Sequence, residues 1–151
     1  MKERIAIIDG LRSPIAKANG KLNDLSADTL GAIITKELVL RNDLDYKQFD
    51  EVIMGNVAQP ANAANIARVM AIRAGFPQST PAYTVHRNCA SGMQSISSAI
   101  EKINSNQGDL YLVGGMESMS NIPLLYSDEF RSFITKFTYS KSISEKFKLL
   151  T

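Results

Sequence analysis

Apolar residues along the first 115 positions alternate between short continuous runs and helix-like spacing, with glycine or proline turns between them. The short runs predict four buried strands, at residues 4–10, 52–57, 81–85 and 110–113. The helix-like spacing predicts three helices between them, at residues 26–41, at residues 65–74 and from just after Cys89 to a stop at Gly108. Strands and helices that alternate with short connections are typical of an α/β fold, in which helices lie on the faces of a parallel sheet.

The helix predicted after Cys89 has an unusual composition. Met93, Ile96, Ile100 and Ile103 form an apolar stripe, and many of the positions between them hold Ala, Ser or Gly. A surface helix of a lone domain carries Lys and Glu along its outer face, but here these residues occur only near the helix end. We therefore expect a second layer to cover this helix, supplied by a partner chain or by another part of the same protein.

The pattern changes after Ser120. Residues 121–151 contain Pro123, several aromatic residues and many Ser and Lys residues, without strong periodicity. The change predicts an α/β domain over residues 1–120 and the beginning of a different element over residues 121–151. Because the sequence ends inside an amphipathic pattern, we expect the chain to be part of a longer protein.

The charge balance narrows the class of partner. The chain of 151 residues has a formal net charge of +2, and residues 1–120 carry 12 Lys/Arg against 12 Asp/Glu, so the excess lies in the tail. An excess this small does not indicate a nucleic-acid-binding protein. No apolar run approaches the roughly 18 residues of a membrane span. The first residues also lack the apolar core and small-residue cleavage site of a secretory signal.

Cys89 is the only cysteine of the chain, and this excludes an internal disulfide and a multi-cysteine metal site. A free thiol without a secretory signal favours a reducing compartment, which means the cytoplasm or, in a eukaryote, the mitochondrial or peroxisomal matrix. The patterning places Cys89 between a strand and a helix N-terminus. Backbone N–H groups and the helix dipole at such a position favour a thiolate and can hold an oxyanion during acyl transfer. The alternative is a buried cysteine that acts as a small apolar residue.

Two other polar residues have open roles. His86 is the only histidine and lies three positions before Cys89, so it is either a local base or a structural residue beside the turn. Glu117 follows Gly114-Gly115 at the end of the last predicted strand. It is either a polar group at the rim of the sheet or a solvated loop carboxylate. Because the carboxyl ends of parallel strands share one edge of a sheet, we expect Cys89 and the double glycine to lie along the same rim.

Four segments resemble motifs of one enzyme family and occur in the family's order. They are residues 9–14 (Asp-Gly-Leu-Arg-Ser-Pro), residues 51–57 (Glu-Val-Ile-Met-Gly-Asn-Val) with residues 65–68, residues 88–94 (Asn-Cys-Ala-Ser-Gly-Met-Gln) and residues 114–120 (Gly-Gly-Met-Glu-Ser-Met-Ser). Over residues 4–120 the chain resembles the N-terminal half of a thiolase. The tail is similar to the start of the family's loop domain, which covers the active site and helps to bind coenzyme A. The resemblance implies a thiolase-like fold in which this chain forms one βαβαβαβ half.

The resemblance also implies a chemistry. Cys89 matches the nucleophile that becomes acylated, and its backbone N–H matches one donor of the oxyanion hole. The implied reaction is thiolytic cleavage of a 3-oxoacyl-CoA to acetyl-CoA and a shortened acyl-CoA, as in fatty-acid β-oxidation. Coenzyme A and acyl-CoA are then substrates, and no metal or covalently bound cofactor is implied. A homodimer or homotetramer is the implied assembly.

The remaining catalytic groups of the family lie in its C-terminal half. These are a base histidine in a Gly-His-Pro motif, an acid/base cysteine and an Asn-Glu motif, and this sequence contains none of them. His86 does not match the family's base. We therefore expect the chain to be inactive alone and to act only with its own C-terminal thiolase half.

Three alternatives stay open. The first is the biosynthetic direction, an acetyl-CoA acetyltransferase that makes acetoacetyl-CoA through the same acyl-Cys89. The second is a related β-ketoacyl synthase that uses carrier-protein thioesters. The third is a non-catalytic half-domain that serves in assembly, whose exposed helix face would cause it to oligomerise or aggregate.

Overall fold

The structure, a computed structural model, describes residues 5–140, 142, 144 and 146. Its strands are β1 (Glu51–Gly55), β2 (Ala82–Val85) and β3 (Tyr111–Gly115), and its α-helices are α1 (Ala27–Arg41), α2 (Ile66–Ala74), α3 (Ser91–Asn104) and α4 (Asp128–Tyr139). Short 3-10 helices occur at Tyr46–Gln48 and Met119–Asn121. The three strands form one parallel sheet in the order β2-β1-β3, so β1 is central. The predicted α/β fold, with helices flanking a parallel sheet, is confirmed.

Alternate residues of β1 face opposite sides of the sheet. Val52 and Met54 belong to the main apolar core, in which Ile66 and Met70 of α2 are fully buried. Helix α1 packs outside α2 on this face. Gly55 points to the opposite face, where it meets the first turn of α3. The period-2 pattern of a strand therefore places two helices on one face and α3 on the other.

Helix α3 lies on the sheet through its small residues. Ser91, Ser95 and Ala99 are its buried positions, and the Ser95 hydroxyl donates a hydrogen bond to the carbonyl of Gly114 at 2.9 Å. Met93 is 66% exposed on the predicted apolar stripe. The stripe is therefore not the sheet-facing side, because only small side chains let the helix backbone approach the strands this closely. The outward position of the stripe agrees with the expectation of a second layer.

The buried face of α1 holds mostly small residues. Leu30, Ile33, Ile34 and Leu38 recur at helical spacing along α1, but Ile33 is 51% exposed. The buried positions are mostly small, namely Ala27, Asp28, Gly31, Ala32, Thr35 and Val39. A methyl group at Gly31 would lie 2.6 Å from Sδ of Met116 and 2.9 Å from Cγ of Met70. Close packing against these two methionines selects the small face instead of the large apolar one.

The first predicted strand is wrong for the described residues 5–10, which form no strand. Ile7 is 81% exposed and Ile8 is 66% exposed. This segment lies beside the open edge of β3, across an apolar cleft of about 250 Å³ that Tyr111–Val113 also line. A buried strand needs a covering layer on each face, and none covers this segment within the described part of the chain.

The side chain of Asp9 fixes the end of this segment. It accepts hydrogen bonds from Arg41 at 2.6 and 2.7 Å and from Asn42 at 2.7 Å. The Arg41 guanidinium, with help from Asn42, holds the pKa of the Asp9 carboxyl far below its usual range. Residues 5–10 are thus tied to the end of α1 instead of being paired with the sheet.

Several boundaries follow their sequence signals closely. Asn65 caps α2, with its side chain accepting from the Arg68 N–H, and Gly75 ends this helix at φ 107°. Such a left-handed residue at a helix end is most easily a glycine. Strand β1 ends at Gly55, two residues earlier than predicted. Asn56 and Val57 leave the sheet there and bind Glu117 instead.

The tail forms α4, and none of that helix's residues is buried. Tyr126, Phe130, Phe133 and Phe137 stack in sequence along one side of it, with ring centroids 4.9 to 6.2 Å apart. None of the helices that the structure describes combines the length and apolar character needed to cross a membrane. Helix α4 is therefore amphipathic, and on its aromatic side the Lys146 ammonium lies 5.4 Å from the centroid of the Phe137 ring.

Candidate active site

Cys89 occupies the turn between β2 and α3, as predicted. Strand β2 ends at Val85 and α3 begins at Ser91, and the Cys89 side chain is exposed. Asn88, at φ 47°, adopts the left-handed conformation, which reverses the chain direction just before the cysteine. Within the described part of the chain Cys89 is therefore not a buried, space-filling residue.

Backbone hydrogen bonds and one serine hold this turn. The N–H of Ala90 donates to the carbonyl of Arg87, and that of Ser91 to the carbonyl of Asn88, both at 3.0 Å. The buried Ser91 hydroxyl accepts from the Arg87 N–H at 2.8 Å and donates to the Asn88 carbonyl at 2.7 Å. The Ser91 hydroxyl therefore closes a short loop with Arg87 and Asn88, and Cys89 lies inside that loop.

This role of Ser91 is not among those predicted from the sequence, in which Ser91 is one of several small residues around the start of the helix. A signal was present in the chain. Serine hydroxyls at the start of helices commonly bond backbone groups three or four residues earlier, and Ser91 lies three residues after Asn88. That pattern alone could have indicated a fixed turn around Cys89.

The N-terminus of α3 carries no competing anion. Its N-cap is Ala90, which makes no side-chain cap bond, and no acidic residue lies in the first turn. The first N–H groups of a helix lack intrahelical acceptors, and with the helix dipole they favour a nearby negative charge. The position is thus suited to stabilise an oxyanion that develops next to the sulfur.

His86 and Arg87 lie on the exposed side of the turn. Within the described part of the chain, His86 makes no hydrogen bond with Cys89. The Arg87 guanidinium bonds the side chain of Gln94 on the first turns of α3. Within the described residues the turn therefore presents no preformed Cys–His pair, and a structural role for His86 stays a prediction.

The carboxylate of Glu117 joins two loops at the same edge of the sheet. It accepts hydrogen bonds from Nδ2 of Asn56 at 2.9 Å and from the N–H groups of Val57 at 2.9 Å and Ala58 at 3.0 Å. Nδ2 of Asn56 also donates to the Met116 carbonyl at 2.8 Å. Glu117 is therefore a polar group at the rim, as one of the two alternatives has it, and is not a free solvated carboxylate. It binds the loop after β1 to the loop after β3.

The predicted shared rim is present. A methyl group on Gly92 would lie 3.8 Å from the Cα of Gly115, so the turn that carries Cys89 adjoins the end of β3. No group of three or more His, Cys, Asp or Glu residues with metal-binding geometry occurs among the described residues. The chemistry that this arrangement can perform is nucleophilic attack by the Cys89 sulfur, with backbone donors close to it.

Comparison with known proteins gives a consistent result. The family model for "Thiolase, N-terminal domain" matches residues 5–147. A "Probable acetyl-CoA acyltransferase" of Staphylococcus aureus is 37% identical over 125 residues, which is 83% of this chain and 32% of that protein. Its counterpart in Staphylococcus epidermidis is 36% identical over 122 residues, covering 81% of this chain and 31% of that protein.

Two solved structures are similar to this fold. The Bacillus anthracis acetyl-CoA acetyltransferase superposes with a TM-score of 0.74 and 36% identity, over 78% of this chain and 30% of that one. The Acat5 thiolase of Ascaris suum, solved in complex with coenzyme A, superposes with a TM-score of 0.73 and 34% identity, over 77% and 30%. The chain thus spans about a third of the length of the relatives it matches. Together with the family match over almost the whole sequence, these similarities show that the chain belongs to the thiolase family, as a counterpart of its N-terminal domain.

Proposed function

We propose that this chain is the nucleophile-bearing part of a thiolase-type acyltransferase, with Cys89 as the residue that becomes acylated. The observation that carries the proposal is the position of Cys89, exposed in a fixed turn at the uncapped N-terminus of α3. Membership of the family supports an acyl transfer that uses CoA-linked substrates. The Ascaris relative in complex with coenzyme A supports the same substrate class.

The proposed degradative reaction balances in two steps. The Cys89 thiolate attacks the ketone carbon of a 3-oxoacyl-CoA, and backbone N–H groups at the turn, including that of Cys89, stabilise the oxyanion. The carbon–carbon bond to the acetyl unit breaks, its electron pair leaves with acetyl-CoA, and a proton from an acid group neutralises that carbon. The thiolate of free coenzyme A then attacks the acyl-Cys89 thioester and regenerates the Cys89 thiolate.

We propose that the acid and base for these steps come from a C-terminal thiolase half. The exposed apolar side of α3, with Met93 and Ile100 outward, supports a covering layer at this position. The relatives are about three times as long as this chain, so they have room for such a half. The division into an α/β domain over residues 1–120 and the start of a loop domain over residues 121–151 is part of this proposal. So are a homodimeric or homotetrameric assembly and a cytoplasmic or organelle-matrix location.

The reverse, biosynthetic direction is the second candidate function. The similarity to the Bacillus anthracis acetyl-CoA acetyltransferase supports the biosynthetic direction. The Staphylococcus relatives support acyl transfer in general. In this direction Cys89 takes an acetyl group from one acetyl-CoA and passes it to the enolate of another. Rates with acetoacetyl-CoA and with longer 3-oxoacyl-CoA substrates, measured in both directions, would choose between the two.

The central experiment combines activity with intact mass. The chain is assayed for thiolysis of acetoacetyl-CoA alone and mixed with the remaining, C-terminal portion of the Staphylococcus aureus relative. We expect no turnover by the chain alone, turnover by the mixture, and one acetyl group on Cys89 when coenzyme A is withheld. Cys89→Ser is the control, because it keeps the size of the side chain and removes the thiol.

The possible results separate the competing interpretations. Robust turnover by the chain alone would contradict the need for a second half. An active mixture without acylated Cys89 would contradict the assigned nucleophile. Acylation from carrier-protein thioesters, but not from acyl-CoA, would identify a β-ketoacyl synthase. Stable association without any acylation would favour a half-domain that serves only in assembly.

A further inference from the structure

The last residue of β1 lies directly beneath the turn that carries Cys89. Gly55 is buried, and a methyl group at its Cα would lie 2.4 Å from the carbonyl carbon of Ser91. It would also lie 2.6 Å from both the N of Gly92 and the carbonyl oxygen of Ser91. All three are backbone atoms, so no side-chain rotation can relieve the contact. The first turn of α3 can rest where it does only because position 55 has no Cβ.

The end of β3 supports the same turn less tightly. A methyl group at Gly115 would lie 3.3 Å from the Cα of Gly92 and 3.6 Å from the carbonyl oxygen of Gly55. A shift of a few tenths of an ångström would accommodate it. Gly55 and Gly115 therefore form a natural pair for comparison, because they pair in register at the ends of adjacent strands and touch the same helix turn.

The contact at Gly55 reaches Cys89 through Ser91. The Ser91 hydroxyl bonds backbone groups of Arg87 and Asn88, so it links the start of the helix to the residues on the other side of the cysteine. A displacement of Ser91 and Gly92 away from β1 would strain both bonds. It would move the backbone N–H groups around the sulfur as a unit.

We propose that Gly55 is a positioning residue for Cys89: the absence of a side chain there sets the height of the nucleophile's turn above the sheet. Gly55 touches neither Cys89 nor substrate and acts through the backbone of Ser91 and Gly92. The proposal rests on the proposed function only in naming Cys89 as the nucleophile. The displacement itself can be measured without any activity.

The test compares Gly55→Ala with Gly115→Ala by amide hydrogen exchange on the whole chain. In Gly55→Ala we expect the Ala90, Ser91 and Gln94 amides to exchange at least tenfold faster, while Val52 and Ile53 keep the wild-type rate. In Gly115→Ala the same three amides should stay within about threefold of wild type. Equal behaviour of the two variants would overturn the proposal.

A second comparison separates positioning from a general loss of stability. Ile66→Ala removes core volume on the opposite face of the sheet, so it lowers stability without touching α3. In the mixture with the C-terminal portion, Gly55→Ala should lower kcat at least tenfold and leave KM for acetoacetyl-CoA within about threefold. Ile66→Ala, assayed where it is folded, should keep the wild-type kcat. Loss of kcat in both variants to the same extent would show a purely structural role.

Gly115→Val provides a second measurement in case Gly55→Ala does not fold. Its larger side chain grows from the exposed end of β3, beside Gly92, where folding tolerates more change. We expect Gly115→Val to speed amide exchange at Ala90, Ser91 and Gln94 as much as Gly55→Ala is expected to. Wild-type exchange rates at these three amides in Gly115→Val would count against the proposal. If the wild-type mixture shows no acylation of Cys89, the proposed function fails, and the exchange data still decide the role of Gly55.

Discussion

Carboxylates in this molecule bind backbone N–H groups at the ends of strands. Glu117 binds two such groups after β1, and Asp50 accepts from the N–H groups of Asp109 at 2.7 Å and Leu110 at 3.0 Å, just before β3. These bonds hold the pKa of the Asp50 carboxyl below its usual value. One carboxylate at each end of the sheet thus joins the central strand to its neighbour β3.

The Asp50 bonds predict a pH-dependent contribution to stability. Because the pKa of Asp50 is lowered by folding, its contribution is present above the pKa of the unfolded chain and is lost as the pH falls. Asp50→Asn should lower the free energy of unfolding by about 0.5–1 kcal/mol near pH 7, a range that allows for solvent screening of an exposed group. The difference from wild type should shrink in acid. Urea unfolding at both pH values measures it.

Asp24→Asn is the matched control for this charge removal, because Asp24 is an exposed carboxylate. It should leave the stability near pH 7 unchanged. If the free energies of unfolding of Asp50→Asn and wild type differ by the same amount at neutral and acid pH, the negative charge of Asp50 does not contribute to stability.

Ser91→Ala tests the turn around Cys89. The substitution leaves the Arg87 N–H and the Asn88 carbonyl without their hydroxyl partner, and loss of bonds to a buried hydroxyl costs about 1–2 kcal/mol. Ser105→Ala, which removes an exposed hydroxyl bound to the Glu101 carbonyl, should cost less than about 0.5 kcal/mol. Denaturant unfolding of both variants measures the difference, and equal losses would show that the turn does not depend on Ser91.

At the scale of elements, the sequence predicts where the helices begin and end, but it does not predict which side of each helix is buried. Caps and breakers fix spans locally: Asn65 and Gly75 bound α2, and both residues carry clear signals. Faces depend on what covers them. Ile33 of α1 and Met93 of α3 point outward, and Gly31 and Ser95 mark the buried sides. Hydrophobic spacing alone indicates an apolar side and cannot say that its cover belongs to another part of the assembly.

Gly31 gives a test of the close packing between α1 and α2. Gly31→Ala should gain up to about 1 kcal/mol in helix propensity. The added methyl group would meet Met70 and Met116, both buried, at under 3.0 Å, and overpacking of this kind costs about 1–3 kcal/mol. The cost exceeds the gain, so we expect a net loss of about 1 kcal/mol in thermal or urea unfolding.

The compensating change is available in the same contact. Gly31→Ala combined with Met116→Ala should be more stable than the sum of the two single changes predicts, because the smaller residue at 116 makes room for the methyl group. Strict additivity of the two changes would show that Gly31 and Met116 are not in tight contact.

At the scale of the whole molecule, many large apolar side chains of the described residues are exposed. Three groups are Ile7, Ile8 and Ile15 near the start, Met93 and Ile100 on α3, and Leu124, Leu125 and Tyr126 before α4. Where such side chains adjoin, apolar surface marks interaction sites in ordinary soluble domains. The chain covers about a third of its relatives' length, which agrees with this distribution.

We expect the chain alone to self-associate. Light scattering should show a mass that rises with concentration, and a dye that binds apolar surface should fluoresce in its presence. Met93→Lys should reduce the association, whereas Ser105→Lys, on the exposed end of the same helix, should not. Addition of the C-terminal portion should lower the dye signal. A monodisperse monomer that binds no dye would contradict the expectation.

The candidate site was predictable only where it depends on local features of the sequence. Cys89 is recognisable because a strand, a turn and a helix start are local features. The Glu117 contacts and the Gly55–Ser91 contact join residues far apart in sequence, and no local pattern encodes which loops meet. The strand predicted at residues 4–10 is wrong over the described residues 5–10. An apolar run predicts burial only where a covering layer exists, and Ile7 has none in the described part of the chain.

The bonds of Asp9 to Arg41 and Asn42 join parts of the chain that are synthesised before β3. Tyr111, the first residue of β3, follows about 70 positions after Asn42, which takes roughly 3 to 14 s at about 5–20 residues per second. During that interval the apolar stretch from Ile5 to Ile8 has no β3 edge to lie beside. Its attachment to α1 needs only residues already made, so these bonds can hold residues 5–10 against the end of α1 before β3 is synthesised.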